Sequence, residues 1–256
     1  MANPMYRQIA EDLRQQIESG WLQPGQQLPT EFELRERFAA SRNTVRDAIK
    51  WLTNLGLVET KPGQGTFVVQ AIDPLLSTLT GDPEVGWGEG AKYLSEATEQ
   101  DRKPTSSPIQ VEIQEASDEI ATALGMAKGA ETISRHERRF IDGTPWSMQT
   151  SFYPMDFADR GAERLRRARN IEEGTVRYLA ETLHIKQVGY RDRITVRAPN
   201  AIEADFFRLP SDGRVPVYEI TRTAYDGNGQ PMRVTVTAYP ADRNQFIVNV
   251  GQVPPV

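Results

Sequence analysis

Arg42, Asn43, Thr44 and Arg46 have the types and spacing that pair with base edges and phosphates when a helix N-terminus enters the major groove of DNA. Arg42 and Arg46 stand four apart and share one helical face, where they can straddle a backbone and a base edge. Ser41 precedes them as an N-cap, and Val45, Ala48, Ile49 and Leu52 recur on the inner side. Thr30 caps an earlier helix whose acidic first turn, Glu31 and Glu33, suits the positive end of the helix dipole. Leu34 and Phe38 recur on one face of that helix, and Ala39-Ala40 are small enough for two helices to approach closely at a turn. After Gly56, residues 57–60 and 66–69 read as short strands joined by Lys61-Pro62-Gly63-Gln64-Gly65, whose glycines allow the backbone close to a phosphate or groove. These residues predict a winged helix-turn-helix that reads DNA, mainly helical with a β wing.

The elements that hold this unit are legible upstream. Ile9, Leu13 and Ile17 recur at four-residue spacing in a helix over 5–20 that Gly20 stops. Trp21, Leu22 and Leu28 with Pro24-Gly25 predict a turn and a small strand. The chain has 256 residues, 38% hydrophobic and 25% charged, which is enough for two domains with separate cores. It has no cysteine, which excludes disulfides and thiolate metal sites and fits a reducing cytosol. No run of about 18 apolar residues and no signal-peptide core is present, so a cytoplasmic protein without a membrane partner is expected. The net charge is −5, and residues 1–70 hold eight basic and eight acidic side chains. DNA binding must then rest on how the arginines are arranged rather than on bulk charge.

Residues 71–108 lose periodicity and carry Pro74, Gly81, Pro83, Gly86, Gly88, Gly90, Pro104 and Pro108. They predict a linker with one short helix near 90–97, the second half of which reads equally well as a segment docked on the second domain. From 109 onward alternation dominates. Strands are predicted at 109–113, 131–141, 145–153, 188–198, 217–225, 232–239 and 246–250, with hairpin turns at Asp142-Gly143 and within 226–229. Helices are predicted at 117–124, at 156–168 (basic), at 172–184 and at 201–207. The expected organisation is a DNA-binding domain at 1–70, a linker at 71–108 and an α+β domain at 109–256, its antiparallel sheet covered by helices on one side.

Y-R-Q-I-A at 6–10, I-E-S-G-W-L-Q-P-G-Q-Q-L-P-T-E at 17–31, S-R-N-T-V-R-D-A-I at 41–49 and the G-L-V and G-Q-G-T-F-V runs within 56–68 resemble the N-terminal domain of the GntR family of bacterial transcription regulators. The resemblance implies a dimer on a short palindrome, with Arg35, Arg42, Thr44, Arg46 and Gly65 at the positions that the family sets against DNA. Arg35 would be a phosphate or base contact, and Gln64-Gly65 would enter the adjacent minor groove. Thr30, Ser41, Asn43 and Lys61 complete the candidate contact set.

R-H-E-R-R-F-I-D-G-T-P-W at 135–146, T-S-F-Y-P at 150–154, G-T-V-R-Y-L at 174–179 and V-Y-E-I-T-R-T-A-Y-D-G-N-G-Q-P at 217–231, with A-Y-P-A-D-R-N-Q-F at 238–246, resemble the effector-binding UTRA domain of the HutC subgroup. Its fold is similar to chorismate lyase. In that subgroup the domain senses a small molecule, often a sugar phosphate or an organic acid, and releases DNA. The subgroup's Arg-x-Arg before the hairpin is Glu137-Arg138-Arg139 here. Its Glu after the hairpin is Gln149, its Ser-x-Tyr is Thr175 and Arg177, a late Glu is Arg233, and Tyr239 is kept. The joint reversal at Glu137 and Arg233 suits a mutual salt bridge or a ligand of different charge layout. Arg135, Glu137 and Arg139 alternate on one strand and point the same way. Arg139, Arg177 and Arg233 together favour a small anionic effector; the bland alternative is a solvated strand face with ordinary ion pairs.

No nucleophile motif, glycine-rich phosphate loop or metal cluster accompanies the lyase-like fold, so neither an enzyme nor a cofactor is expected. His136 and His184 lack metal-ligand spacing. Arg160, Arg164, Arg166, Arg167 and Arg169 read as a solvated face rather than a second nucleic-acid contact. Trp51 reads as core, and Trp87 and Trp146 as pocket or packing residues. The leading function is a repressor released from its operator by an effector. The competitor is a ligand-blind regulator of the plasmid-maintenance type, whose second domain only dimerises.

Overall fold

The computed structural model describes residues 4–69, 72–79, 91–210 and 213–252. Trp87 and the glycine cluster around it lie outside them. The chain divides into two compact units, Met1–Ile72 and Asp73–Val256.

The first unit holds α1 (Met5–Glu18), α2 (Glu31–Phe38), α3 (Arg42–Asn54) and the hairpin β1 (Val58–Lys61) and β2 (Gly65–Val68). Ile9, Ala10 and Leu13 of α1, Leu34 of α2 and Val45, Ala48 and Leu52 of α3 form its buried core, closed by Leu22, Leu28, Val58 and Val68. Trp51 packs against this cluster from its edge. The α2–α3 turn is tight because Ala39 takes a left-handed conformation at φ 47° and the Ala40 amide bonds back to the Arg35 carbonyl. Residues 25–28 lie along β2. The Gly25 amide donates to Val68, Val68 to Gln26, and Leu28 to Thr66, so the wing has a third, irregular strand.

The second unit begins with β3 (Leu75–Thr78), α4 (Ala91–Glu99) and β4 (Pro104–Ser106). Its sheet continues with β5 (Gln110–Glu115), β6 (Glu131–Ile141), β7 (Thr144–Pro154), β8 (Gln187–Arg197), β9 (Val217–Asp226) and β10 (Pro231–Pro240), and β11 (Asn244–Ile247) follows. The helices between them are α5 (Asp118–Leu124), α6 (Met155–Asp159), α7 (Thr175–Leu183) and α8 (Ala201–Phe207). Seven antiparallel strands run in the order β4-β6-β7-β10-β9-β8, with β5 beside β4 along the outer edge of β6.

Three expectations change here. The described parts of 71–108 are not a linker. β3 pairs in parallel with β11, β4 pairs with β6, and Gln100 bonds both backbone groups of Leu76, so ladder hydrogen bonds fix the segment to the second unit. The basic helix over 156–168 is instead α6 followed by a 3-10 turn, Glu163–Arg166, because Gly161 at φ 121° ends the α-helix. Its arginines are ion-paired, Arg160 with Asp156, Arg164 with Glu173 and Arg166 with Asp159. Helices also cover both faces of the sheet rather than one. Ile120 and Leu124 of α5 pack on Phe152 and Val234, whereas Phe157 of α6 and Tyr178 and Leu179 of α7 pack on Ile133, Tyr153 and Ala224, whose side chains alternate to the other face.

Candidate nucleic-acid interface and effector face

The α3 N-terminus is built by its cap. Ser41 Oγ accepts from the Thr44 amide at 3.1 Å and lies 2.8 Å from Thr44 Oγ1, so both hydroxyls are engaged at the helix end. Arg42, Asn43 and Arg46 stay exposed beside them. Thr30 and Glu33 form a reciprocal capping box, with Thr30 N donating to Glu33 Oε2 at 2.7 Å and Glu33 N to Thr30 Oγ1 at 3.3 Å. That box sets the first turn of α2 so that Glu31 meets Arg42 Nε at 3.2 Å and Arg46 Nε at 2.9 Å. The Arg46 hydrogen bond, aided by Arg42, holds the Glu31 carboxyl below the usual carboxylate range against a smaller opposing effect of burial. Arg35 is exposed on α2. At the wing, Lys61 pairs with Glu59 and lies 4.9 Å from the centre of the Phe67 ring, while Gln64 stands exposed at the tip next to Gly65. Gly65 has φ 124°, and a Cβ there would stand 2.4 Å from Gln27 Nε2.

In the second unit, β6, β7, β10 and β9 present a polar lattice on one face. Arg135, Glu137 and Arg139 of β6 face Ser151, Gln149 and Ser147 of β7, and Thr235 and Thr237 of β10 continue the first two rows. Most of this lattice is buried. Ser151 and Thr235 share a hydrogen bond at 3.0 Å, and Thr237 donates to Gln149 at 3.4 Å. The alternating polar residues of β7 and β10 are the sequence signal for this lattice, which takes in Ser151, Thr235 and Thr237 beyond the residues that the resemblance implies. Beyond them, Arg222 of β9 makes a two-pronged pair with Asp192 at 2.7 and 2.6 Å and lies 3.8 Å from the centre of the Tyr190 ring.

A cleft of about 40 Å³ opens between this lattice and the start of α7. Glu137, Gln149 and Thr175 line it together with Arg135, Ser151, Asn170 and Gly174. Arg139 adjoins through its 2.8 Å bond to Glu137. Arg135 is committed to structure. It donates to the carbonyls of Leu165 at 2.8 Å, Arg167 at 3.0 Å and Arg169 at 2.7 Å, with Arg164 longer at 3.4 Å, and so pins the loop that forms the far wall. Tyr239 stands on the same face, one residue beyond the Ala238–Met148 pair, stacked edge-on against Phe246 at 5.0 Å. Burial pushes its phenol up, against the lowering influence of Arg139 and Arg222.

Two of the seven expected effector residues are elsewhere. Arg177 points outward from α7, 73% exposed and paired with Glu181 at 2.7 Å, because the helix turns its buried side, Val176 and Leu179, to the sheet. Arg233 is buried at the far end of β10, opposite Ala224, where it donates to Gln187 at 3.1 Å. The expected Glu137–Arg233 bridge is therefore replaced by Glu137–Arg139, and the three arginines do not converge. Trp146 is fully buried, under Arg102, as packing. Among the described residues no acidic, histidine or cysteine cluster could hold a metal, and no helix is long and apolar enough to cross a membrane.

A capped recognition helix with a glycine wing, joined in one chain to a sheet with a buried polar face, defines a two-domain DNA-binding regulator. The comparisons agree. Residues 5–68 match the gntR family of bacterial regulatory proteins and residues 99–245 match the UTRA domain, so the chain belongs to the GntR family with the UTRA architecture of its HutC subgroup. It is 28% identical over 245 residues to the HTH-type transcriptional repressor NagR of Bacillus subtilis, covering 95% of this chain and 93% of that protein. It is 23% identical to the HTH-type transcriptional regulator GgaR of Escherichia coli, over 95% and 90% of the two chains. The crystal structure of PhnF from Mycobacterium smegmatis superposes with a TM-score of 0.57 at 20% identity, over 95% and 99% of the chains, which shows the shared fold. The UTRA domain here serves a transcription regulator and not an enzyme.

Proposed function

We propose that the protein represses transcription in the cytoplasm by binding a palindromic operator as a homodimer, and that a small polar effector on the buried face releases it. The observation that carries the DNA half is the α3 N-terminus, where Ser41 and Thr44 satisfy the helix end while Arg42, Asn43 and Arg46 stay exposed. A two-fold protein calls for a two-fold site, with half-sites in adjacent or nearby major grooves. Residues 109–250 of the second unit supply most of the dimer contacts, and Gln64-Gly65 enters the minor groove.

The effector half rests on the cleft, where Glu137, Gln149 and Thr175 meet the open end of α7. Gly174 and Thr175 at the start of that helix line the cleft, and backbone N–H groups at a helix start favour a carboxylate or phosphate. Arg139 and Tyr239 extend the site, and Glu137 accepts a hydroxyl or ammonium from the effector. This keeps the anionic class of effector, a sugar phosphate or organic acid, on fewer arginines than the sequence suggested. The relative NagR is named a repressor, which supports the direction of regulation.

The ligand-blind reading also has an observation in its favour. A cleft of about 40 Å³ is far below the roughly 300–1,000 Å³ of ordinary ligand pockets, so an effector calls for the wall over 170–174 to move.

Selection of genomic fragments on the full-length protein tests the first half. Arg46→Ala and Arg42→Ala should abolish specific binding to the selected operator while folding is kept, and wild-type affinity in both would overturn the helix placement. A monomeric mass in solution with footprints on an asymmetric site would overturn the dimer.

A further inference from the structure

Residues 25–31 join the two parts of the DNA-reading unit. Their first half runs along β2 as the wing's third strand, held by backbone bonds of 2.7 to 2.9 Å. Three residues after Gln27, Thr30 starts α2 with its capping box, and Glu31 then reaches Arg42 and Arg46 of α3. Wing and recognition helix are therefore registered to each other by one short segment.

Gln27 is the side chain in that segment which reaches the wing tip. Its backbone bridges Phe67, and its Nε2 donates to the Gln64 carbonyl at 2.9 Å, 37 residues away in sequence. The amide occupies the space over Gly65, where any Cβ would collide with it. Gly65 thus serves two ends, a φ of 124° that only glycine adopts readily and room for this one side chain. Within the β1–β2 hairpin the turn over 62–64 is closed by the Gln64 amide on the Lys61 carbonyl at 3.0 Å. The Gln27 bond holds the tip from the other side.

We infer that Gln27 is a positioning residue for DNA recognition: its amide fixes the wing tip at a set height from the recognition helix, and so fixes the spacing between major-groove and minor-groove contacts on the operator. This rests on the reading that α3 enters the major groove and Gln64-Gly65 the minor groove. Gln27 itself is exposed and water competes for its bond, so the bond adds little to folding. Its effect falls on DNA binding, where a tip that wanders loses contacts that depend on geometry.

The test uses the full-length protein and an operator selected by wild type from genomic fragments. Affinity is measured by fluorescence anisotropy for that operator and for single base-pair substitutions through the core and the flanking minor-groove positions. Gln27→Met keeps length and neutrality but removes the donor. It should bind the operator roughly two- to threefold more weakly, the low end of the scale of one hydrogen bond. Its discrimination at the flanking positions should flatten, that at the core positions should persist, and its melting temperature should match wild type. Full flanking discrimination in Gln27→Met overturns the inference. So does an equal loss at all positions with a lower melting temperature, which marks a folding role. A wild-type protein that selects no DNA, or reads no flanking position, sinks instead the reading on which the inference rests.

Discussion

Arg42 and Arg46, one helical turn apart on the recognition helix, share a single acceptor, the Glu31 carboxylate at the start of the preceding helix, at 3.2 and 2.9 Å. The two guanidinium groups are thus held side by side on the face proposed to read DNA, where DNA phosphates or base edges would compete with Glu31 for them. An exposed pair of this kind contributes at most about 1 kcal/mol to folding. Its consequence lies in recognition.

Glu31→Ala should therefore leave stability nearly unchanged while raising affinity for unrelated DNA, since it removes an anion from the surface and frees two arginines. The ratio of specific to non-specific affinity should fall by roughly tenfold, the scale of one base-edge discrimination. Because Arg46 and Arg42 hold the Glu31 carboxyl below its ordinary range, it stays ionised at pH 6–8 and the difference from wild type should be flat across that window. Anisotropy titrations on operator and scrambled DNA decide it; an unchanged ratio would show that Glu31 does not tune the arginines.

Gly65→Ala combines a left-handed backbone with a 2.4 Å approach to Gln27 Nε2. Strain of about 1–3 kcal/mol should fall on the wing, so operator affinity should drop while the far-ultraviolet dichroism of the helices persists. Unchanged affinity would place the wing away from DNA.

Arg135→Ala leaves the carbonyls of Leu165, Arg167 and Arg169 without their buried donor. The second unit should lose about 2–4 kcal/mol, and amide exchange should quicken first in residues 164–174. Denaturant unfolding followed by exchange mass spectrometry reports both, and uniform exchange across the unit would remove Arg135 from its role as a pin.

Glu203 gives the second unit an acid dependence. Burial raises its pKa, but the Arg197 hydrogen bond, the Asn200 amide and the Arg197 charge together lower it below the ordinary value. A depressed folded-state pKa means stability that is present above the unfolded value of about 4.3 and lost as pH falls through the folded one. Glu203→Gln should be destabilised by about 1–3 kcal/mol at pH 7 and should approach wild type below pH 4. Urea midpoints at the two pH values test this, and a constant gap would assign the loss to packing.

A thermal-shift screen of sugar phosphates and organic acids on wild type, Glu137→Gln, Arg139→Ala and Arg177→Ala separates the cleft from the surface. A true effector should lose its stabilisation in Arg139→Ala and keep it in Arg177→Ala, whose side chain pairs with Glu181 on the outer face. Loss in Arg177→Ala would restore that arginine to the site, and no hit at all would favour the ligand-blind regulator.

Much of the local chemistry was legible in the sequence. Thr30 with Glu33 and Ser41 with Thr44 are caps within three residues, and the turn at Asp142-Gly143 needs only the left-handed conformation that these residues adopt. The recognition helix and the wing follow from such signals, and so do most strands, because alternation fixes which side chains share a face. The alternation of Arg135, Glu137 and Arg139 was sound for the same reason. Which partner each charge takes was a different matter. Glu137 meets Arg139 and not Arg233 because strand register sets Arg233 level with Ala224, at the other end of the sheet. Arg177 leaves the site because its helix is amphipathic in the opposite sense. Segment 71–108 read as a linker with one short helix because β3 and β4 are four and three residues long, and such strands exist only where β11 and β6 complete their hydrogen bonds. Spacing along the chain determines caps, turns and faces; pairing between distant strands decides neighbours, since that register is set by the closing of the whole sheet.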